Sequence, residues 1–138
     1  MAFLFLAQIV SSRITRNRIR NGRIIVSQDS EYVYLDESVF MEEVLKHQRP
    51  VIVEFGAEWC GSCRIMAPIV NDITAGYRDH IKVFRVDIDQ NKDLAAKYGI
   101  QAKPTFLFIR NGEIVDHIIG SVSRKVFEYK LISFLSYE

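Results

Sequence analysis

Hydrophobic and polar residues alternate with two different periods from residue 31 to the end of the chain. Short, mostly apolar runs predict strands at 31–35, 51–55, 81–89, 104–110 and 113–119. Apolar residues three and four positions apart predict helices at about 37–48, after Cys60, at 91–99 and from Ser123 onward. Because strands that alternate with helices form parallel sheets covered on both faces, the pattern predicts an α/β fold. The last two strands add an antiparallel portion at one edge.

Residues with strong local preferences mark the ends of these elements. Asp36 is suited to cap the first helix, and Gly99 is suited to end the third. Asn111-Gly112 separates the last two strands and is typical of a type I′ hairpin. Pro68 lies within the helix after Cys60, where a proline removes a main-chain hydrogen bond and predicts a kink. The apolar residues of that helix are Ile65, Met66, Ile69, Val70 and Ile73.

Charge divides the chain into a basic N-terminal extension, residues 1–30, and a mildly acidic domain, residues 31–138. The extension carries five arginines and one acid, Asp29, although the whole chain has a net charge of only +1. Its apolar start, residues 1–10, is too short to span a bilayer. An arginine-rich stretch without acids is typical of a transit peptide, and equally of a flexible tail. A tether to nucleic acid or membrane is a third interpretation, weakened by the lack of aromatic residues among the arginines.

Cys60 and Cys63 are the only cysteines of the chain. A bridge between residues three apart closes a very small loop, so it removes little entropy from the unfolded chain, and a structural staple is disfavoured. Zinc needs about four ligands. Because the three histidines are scattered along the chain, no metal site is expected. Two interpretations of the cysteine pair remain. The first is a redox-active pair, and the second is two inert thiols.

The position of the pair, between a predicted buried strand and a helix, favours redox chemistry. Main-chain N–H groups and the positive dipole end at a helix start stabilise a thiolate, which is the nucleophile of thiol–disulfide exchange. Cys60, before the first turn, is expected to be the more exposed sulfur and to attack a substrate disulfide. Cys63, one turn further, is expected to be more buried and to resolve the mixed disulfide by closing the internal bridge.

Glu54 is an acid within the apolar run at 51–55. Burial of a carboxylate is costly, so desolvation should raise the pKa of Glu54 and suit it to take a proton from Cys63. The alternative is an ion pair with a basic residue such as Arg85 on the next strand. The two interpretations are compatible.

Residues 31–138 resemble the thioredoxin family. The family motif Trp-Cys-Gly-Pro-Cys is present as Trp59-Cys60-Gly61-Ser62-Cys63, followed by a basic residue, Arg64, and by the helix proline, Pro68. The segments VDIDQN at 86–91 and KYGIQAKPTFLFIRNGE at 97–113 are also similar to thioredoxin. Two glycines match family glycines, Gly112 and Gly120.

The resemblance implies a thioredoxin fold, in which a central mixed sheet has helices on both faces, and a protein-disulfide reductase acting through Cys60 and Cys63. It implies a cis peptide bond before Pro104, facing the active site. It also implies a thioredoxin reductase as electron donor, disulfide-containing proteins as targets, and no cofactor. The residues that it assigns to binding are Trp59, Gly61, Ser62, Lys103, Pro104 and Gly120. A monomer is expected in the cytoplasm, or in the mitochondrial matrix if residues 1–30 are a transit peptide.

Five positions depart from the family pattern. Ser62 replaces a proline, which leaves the reduction potential open because the hydroxyl could bond to a sulfur. Glu54 replaces an aspartate and Arg85 replaces a lysine, so the proton path can differ. Gly56 replaces a bulky aromatic residue, and Lys103 replaces an isoleucine or valine in the substrate groove. Partner choice can therefore differ as well.

Two other functions stay open at this point. A more oxidising relative, an oxidase or isomerase, is compatible with Ser62. A thioredoxin-fold binding module without redox turnover is less compatible with an intact Cys-x-x-Cys pair. With a net charge of +1, neither nucleic acid nor membrane is expected as a partner.

Overall fold

The computed structural model describes residues 25–26 and 33–136. The strands are β1 (Ile25–Val26), β2 (Val33–Tyr34), β3 (Val51–Gly56), β4 (Lys82–Asp87), β5 (Thr105–Arg110) and β6 (Glu113–Ile119). The helices are α1 (Glu37–Phe40) with a π-helical continuation (Met41–Leu45), α2 (Gly61–Ala75), α3 (Lys92–Lys97) and α4 (Arg124–Ser136). The alternation of strands and helices predicted from residue 31 onward is confirmed, with shorter elements at several ends.

The strands form one mixed sheet in the order β1-β2-β4-β3-β5-β6. β2 and β3 each pair in parallel with β4. β5 pairs antiparallel with β3, and β6 pairs antiparallel with β5, so the hairpin forms the predicted antiparallel edge. This arrangement confirms the α/β, thioredoxin-type fold class.

Apolar cores lie on both faces of the sheet, and β3 runs between them. Every residue of β3 is buried, as its continuous apolar run predicts. The residues of one core include Ile52, Met66, Val70, Phe106, Phe108, Phe127 and Leu131. The residues of the other include Phe40, Val44, Val53, Phe55, Phe84 and Leu94. The strand that leads into the cysteine pair is therefore held in place from both sides.

The first helix ends earlier than the sequence predicts. Asp36 caps it as expected, since its carboxylate accepts the N–H of Ser38 at 2.9 Å. The π-helical continuation then closes with the N–H of Lys46 bonded to the carbonyl of Met41 at 3.1 Å. Pro50 also disfavours a helical conformation in the residue before it. The helix therefore stops at residue 45 instead of about residue 48.

The predicted turn and boundary signals are present in the structure. Asn111 and Gly112 both have positive φ values, 52° and 77°, as a type I′ turn requires. Gly99 has a φ of 64°, just beyond α3. The hydroxyl of Ser123 accepts the N–H of Val126 at 3.2 Å, so it caps α4.

Most of the N-terminal extension lies outside the described residues, as do residues 31–32 of the first predicted strand. β1 is the exception, because Ile25 pairs with Tyr34 and Val26 pairs with Val33. The sheet therefore begins within residues that the sequence assigns to the extension. Across the described part of the chain, the helices are too short or too polar to cross a bilayer.

Candidate functional site

The cysteine pair lies where β3 ends and α2 begins. Cys60 is the N-cap of α2, with an extended backbone (φ −118°, ψ 106°), and Cys63 lies in its first turn. The two sulfurs form a disulfide with an S–S distance of 2.14 Å. The strand–cysteine-pair–helix unit predicted from the sequence is therefore present.

The sulfur of Cys60 takes the place of a capping oxygen at the helix start. It accepts the N–H of Cys63 at 3.1 Å, and the first turn of α2 contains no acid. A negative charge on this sulfur would therefore face a main-chain donor and the positive end of the helix dipole. This environment stabilises a Cys60 thiolate in the reduced protein.

The expected difference in exposure between the two cysteines is wrong. Cys60 is 5% exposed and Cys63 is 8% exposed, so both are buried. The two cysteine residues are therefore buried to nearly the same extent. The sulfurs differ instead in what surrounds them.

Gly56 provides the space that the Cys63 sulfur occupies. A Cβ atom at Gly56 would lie 3.2 Å from the sulfur of Cys63, closer than most side chains allow. The sequence marks Gly56 only as a replacement for a bulky residue. The contact itself depends on how α2 lies over the end of β3, which no local pattern reports.

The structure shows both features that the sequence suggested for Glu54, burial and an ion pair with Arg85. It is fully buried and forms an ion pair with Arg85, its direct neighbour on β4. Burial raises the pKa of Glu54, while the charge and hydrogen bond of Arg85 lower it, and the net direction is upward. Within the described part of the chain, its Oε1 atom has no hydrogen-bond partner.

A cavity of about 990 Å³ connects Glu54 with the inner side of the cysteine pair. Its lining includes Glu54, Gly56, Cys63, Arg85 and Tyr34. The acid that the sequence nominates for proton transfer and the sulfur that it nominates for resolution therefore face one space. Cys60 does not line this cavity, so the two sulfurs have different surroundings.

Tyr34 is a residue of this site that the sequence did not indicate. Arg85 donates through Nη1 to the Tyr34 hydroxyl at 3.1 Å, and its guanidinium lies 5.6 Å from the centre of the tyrosine ring. Tyr34 therefore holds the cation that partners Glu54. The parallel pairing of β2 with β4 creates this contact between residues 51 positions apart.

Trp59 directly precedes Cys60 in the chain and is 81% exposed. The guanidinium of Arg64 lies 5.5 Å from the centre of its ring and donates to the carbonyl of Glu58 at 3.3 Å. Ile65, one of the apolar residues of α2, is 67% exposed. Together Trp59 and Ile65 leave apolar surface near the reactive pair.

Residues 103–104 meet the start of α2 from another loop. The peptide bond between Lys103 and Pro104 is cis, as the resemblance implied. The hydroxyl of Ser62 donates to the carbonyl of Lys103 at 3.0 Å. Gly120, at a φ of 80°, donates its N–H to the carbonyl of Pro104 at 2.7 Å. Gly61 is the first residue of α2 and has open space where a Cβ would lie.

No three of the histidines, cysteines and acids among the described residues are grouped in a way that could hold a metal ion. What the site offers is a disulfide at a helix start, with a buried carboxyl on one side and exposed apolar surface on the other. A pair of this kind can open and close by exchange with an external thiol or disulfide. The fold and site together define a thiol–disulfide oxidoreductase with Cys60 and Cys63 as its redox-active pair.

Comparison with known proteins gives the family. The thioredoxin family model matches residues 31–133. Thioredoxin 1 of Synechococcus elongatus is 41% identical over 88 residues, which cover 64% of this chain and 82% of that protein. Thioredoxin of Porphyra purpurea is 39% identical over 100 residues, covering 72% of this chain and 94% of that protein. The chloroplastic M-type thioredoxin of Pisum sativum is 36% identical over 106 residues, which cover 77% of this chain and 62% of that protein. The chain belongs to the thioredoxin family.

Proposed function

We propose that this protein is a protein-disulfide reductase in which Cys60 attacks and Cys63 resolves. The observation that carries this assignment is the position of the Cys60 sulfur as N-cap of α2, where it accepts the N–H of Cys63. The sulfur with the better stabilised thiolate is the better candidate for attack near neutral pH.

The reaction consists of two exchanges. The Cys60 thiolate attacks one sulfur of a target disulfide, and the other target sulfur leaves as a thiolate that takes up a proton. Cys63 then loses its proton and attacks the Cys60 sulfur, which closes the internal bridge and releases the second target sulfur. The target gains two electrons and two protons in total, and the protein becomes oxidised.

Glu54 is the proposed acceptor of the Cys63 proton. It lines the same cavity as Cys63, and burial raises the pKa of its carboxyl toward the range where it can take up a proton. Its pairing with Arg85 opposes that rise, so the balance between burial and the ion pair sets the pH at which Glu54 can act.

The proposed electron donor is a thioredoxin reductase, and the proposed substrates are proteins with accessible disulfides. The proposed binding residues are Trp59, Gly61, Ser62, Lys103, Pro104 and Gly120. The exposure of Trp59, 81%, supports a contact with a partner.

The proposed domain organisation is a thioredoxin domain at 31–138 with a basic extension at 1–30. The proposed compartment is the cytoplasm, or the mitochondrial matrix if the extension is a transit peptide. Expression of the full chain with a C-terminal fluorescent tag distinguishes the two, because a transit peptide directs the tag to mitochondria and a shortened N-terminus is then found by mass spectrometry.

Reduction of insulin, followed by turbidity, tests the proposed activity. The full chain should reduce insulin with dithiothreitol as donor, and with NADPH when a thioredoxin reductase is added. The variant Cys60→Ser should be inactive in both assays. Folded protein without insulin reduction would instead support a binding module without redox turnover.

A more oxidising activity, as oxidase or isomerase, is the second candidate. The hydroxyl of Ser62 lies 3.4 Å from the Cys60 sulfur, where it can stabilise the reduced form. The reduction potential, measured by equilibration with glutathione, separates the two. A value near the thioredoxin range of about −270 mV supports the reductase, whereas one near about −180 mV supports an isomerase.

A further inference from the structure

The hydroxyl of Ser62 lies between two acceptors. Its oxygen is 3.0 Å from the carbonyl oxygen of Lys103 and 3.4 Å from the sulfur of Cys60. A serine hydroxyl has a single proton to donate, so a full hydrogen bond to one acceptor weakens the bond to the other. The preferred acceptor therefore depends on the charge of the Cys60 sulfur.

In the disulfide state the carbonyl is the better acceptor, because a neutral sulfur accepts hydrogen bonds weakly. The shorter distance to Lys103 agrees with this preference. In the reduced state a Cys60 thiolate carries a full negative charge. Hydrogen bonds to a charged acceptor are roughly twice as strong as bonds between neutral groups, so the thiolate should then take the proton.

We propose that Ser62 is a positioning residue that transfers its hydrogen bond from the Lys103 carbonyl to Cys60 on reduction, so that this carbonyl is a stronger acceptor for a target in the reduced protein than in the oxidised protein. The transfer requires rotation of one hydroxyl group and no movement of the main chain.

The redox step that drives the transfer is reduction by a dithiol. The donor gives two electrons and becomes a disulfide, and the Cys60–Cys63 bond breaks. Of the two protons that the donor loses, one remains on Cys63 and the other passes to solvent, which leaves Cys60 as the thiolate. Oxidation by a target reverses these changes and returns the Ser62 hydrogen bond to Lys103.

The consequence for binding rests on the proposed reductase function. Lys103 and Ser62 are at the surface beside the buried disulfide, so a free Lys103 carbonyl can accept an N–H from an extended peptide that places its own disulfide near Cys60. In the oxidised protein the Ser62 hydroxyl already bonds to one of the two lone pairs of that carbonyl, which weakens it as an acceptor for a target. A target would thus be bound more tightly before electron transfer than after it, which favours release of the product.

Carbonyl chemical shifts test the hydrogen-bond transfer independently of any activity. The Lys103 carbonyl ¹³C shift is compared between oxidised and reduced protein in mildly alkaline solution, which favours the thiolate form of a cysteine. The wild type and Ser62→Thr, which keeps the hydroxyl, should show a redox-dependent shift that Ser62→Ala lacks. Ser136→Ala is the matched control, because Ser136 also donates to a main-chain carbonyl, that of Ile132 at 2.9 Å, but at the end of α4.

The affinity of a cysteine-free peptide tests the consequence for binding. The peptide is an insulin B-chain segment with its cysteine replaced by serine, and calorimetry gives its Kd for both redox states. The wild type should bind about two- to fivefold more tightly when reduced, as expected for one freed hydrogen bond, and this ratio should fall to about one in Ser62→Ala. An equal ratio in wild type and Ser62→Ala, or equal carbonyl shift changes in the two proteins, overturns the proposal even if insulin reduction is normal.

Discussion

Glu54 and Arg85 lie directly opposite each other on the parallel strands β3 and β4 and form an ion pair beneath the reactive disulfide. Glu54 is fully buried, whereas the side chain of Arg85 retains 13% exposure. Glu54 also lines the cavity that Cys63 lines. This relationship makes the charge of Glu54 dependent on both burial and Arg85.

Replacement of Arg85 by methionine should raise the pKa of Glu54 further. The cation opposes the effect of burial, so its removal leaves desolvation unbalanced. We expect the acidic limb of the pH–rate profile for insulin reduction to move to higher pH. The free energy of unfolding at neutral pH should fall by about 3 kcal/mol, the low end for breaking a buried pair, because Glu54 can take up a proton. An unmoved profile would show that Arg85 does not control the acid.

Replacement of Glu54 by glutamine should slow turnover without loss of the fold. The amide keeps the shape of the side chain but cannot accept the Cys63 proton, so a rate loss of about 100-fold is expected at neutral pH. The pH–rate profile should lack the ionisation that Glu54 is expected to contribute in the wild type. The turnover rate of Glu54→Ala should fall by a similar factor to that of Glu54→Gln, since this variant also lacks the proton acceptor. A profile that is unchanged in both variants would exclude Glu54 from the mechanism.

The raised pKa of Glu54 also predicts how stability depends on pH. The folded protein binds the Glu54 proton more tightly than the unfolded chain, where the ordinary value is 4.5. Stability from this group is therefore fully present below about pH 4.5 and is lost as the pH rises toward the folded-state pKa. The free energy of unfolding of the wild type, relative to that of Glu54→Gln, should decrease over this window. A constant difference would show that the pKa of Glu54 is the same in both states.

Replacement of Cys63 by serine should trap a mixed disulfide between Cys60 and a target. Resolution needs the second sulfur, so the first exchange becomes the end of the reaction. Cys60→Ser is the matched variant and should trap much less, because the remaining sulfur lies against Gly56 inside the cavity. Adduct yields are compared by non-reducing gels and mass spectrometry. A higher yield with Cys60→Ser would reverse the two roles.

Replacement of Ser62 by proline should make the protein more reducing. Proline removes the hydroxyl that lies 3.4 Å from the Cys60 sulfur and also a main-chain N–H at the helix start. The thiolate form loses stabilisation, so the potential should fall by about 10–30 mV. Equilibration with glutathione measures the change against the wild type. An equal or more oxidising potential would show that the hydroxyl does not favour the reduced form.

Removal of residues 1–30 should leave insulin reduction intact. The disulfide, Glu54 and the loop at Lys103–Pro104 all lie within residues 31–138. The deletion also removes β1, which pairs with β2, so the free energy of unfolding should fall by about 1 kcal/mol. A chain starting at residue 24 retains β1 and is the matched control. Inactivity of the folded shorter chain would place part of the function in the extension.

The local features of this protein were determined by the sequence. Apolar spacing located the central strands and the helices, because the periods of strands and helices depend only on neighbouring residues. Asn111-Gly112, Asp36 and Ser123 marked their turn and caps through preferences that act within a few residues. The cysteine spacing, with the helix behind it, indicated redox chemistry in the same way.

Other features were decided only by the tertiary structure. Ser62 meets Lys103 across 41 positions, Glu54 meets Arg85 across 31, and Arg85 meets Tyr34 across 51. The sequence nominated the Glu54–Arg85 pair as one of two alternatives, but it gave no indication of Tyr34. It also misjudged the depth of Cys60, because the burial of a side chain depends on the elements that pack over it. Contacts between distant residues follow from the order and register of strands, and these are fixed by packing of the whole sheet.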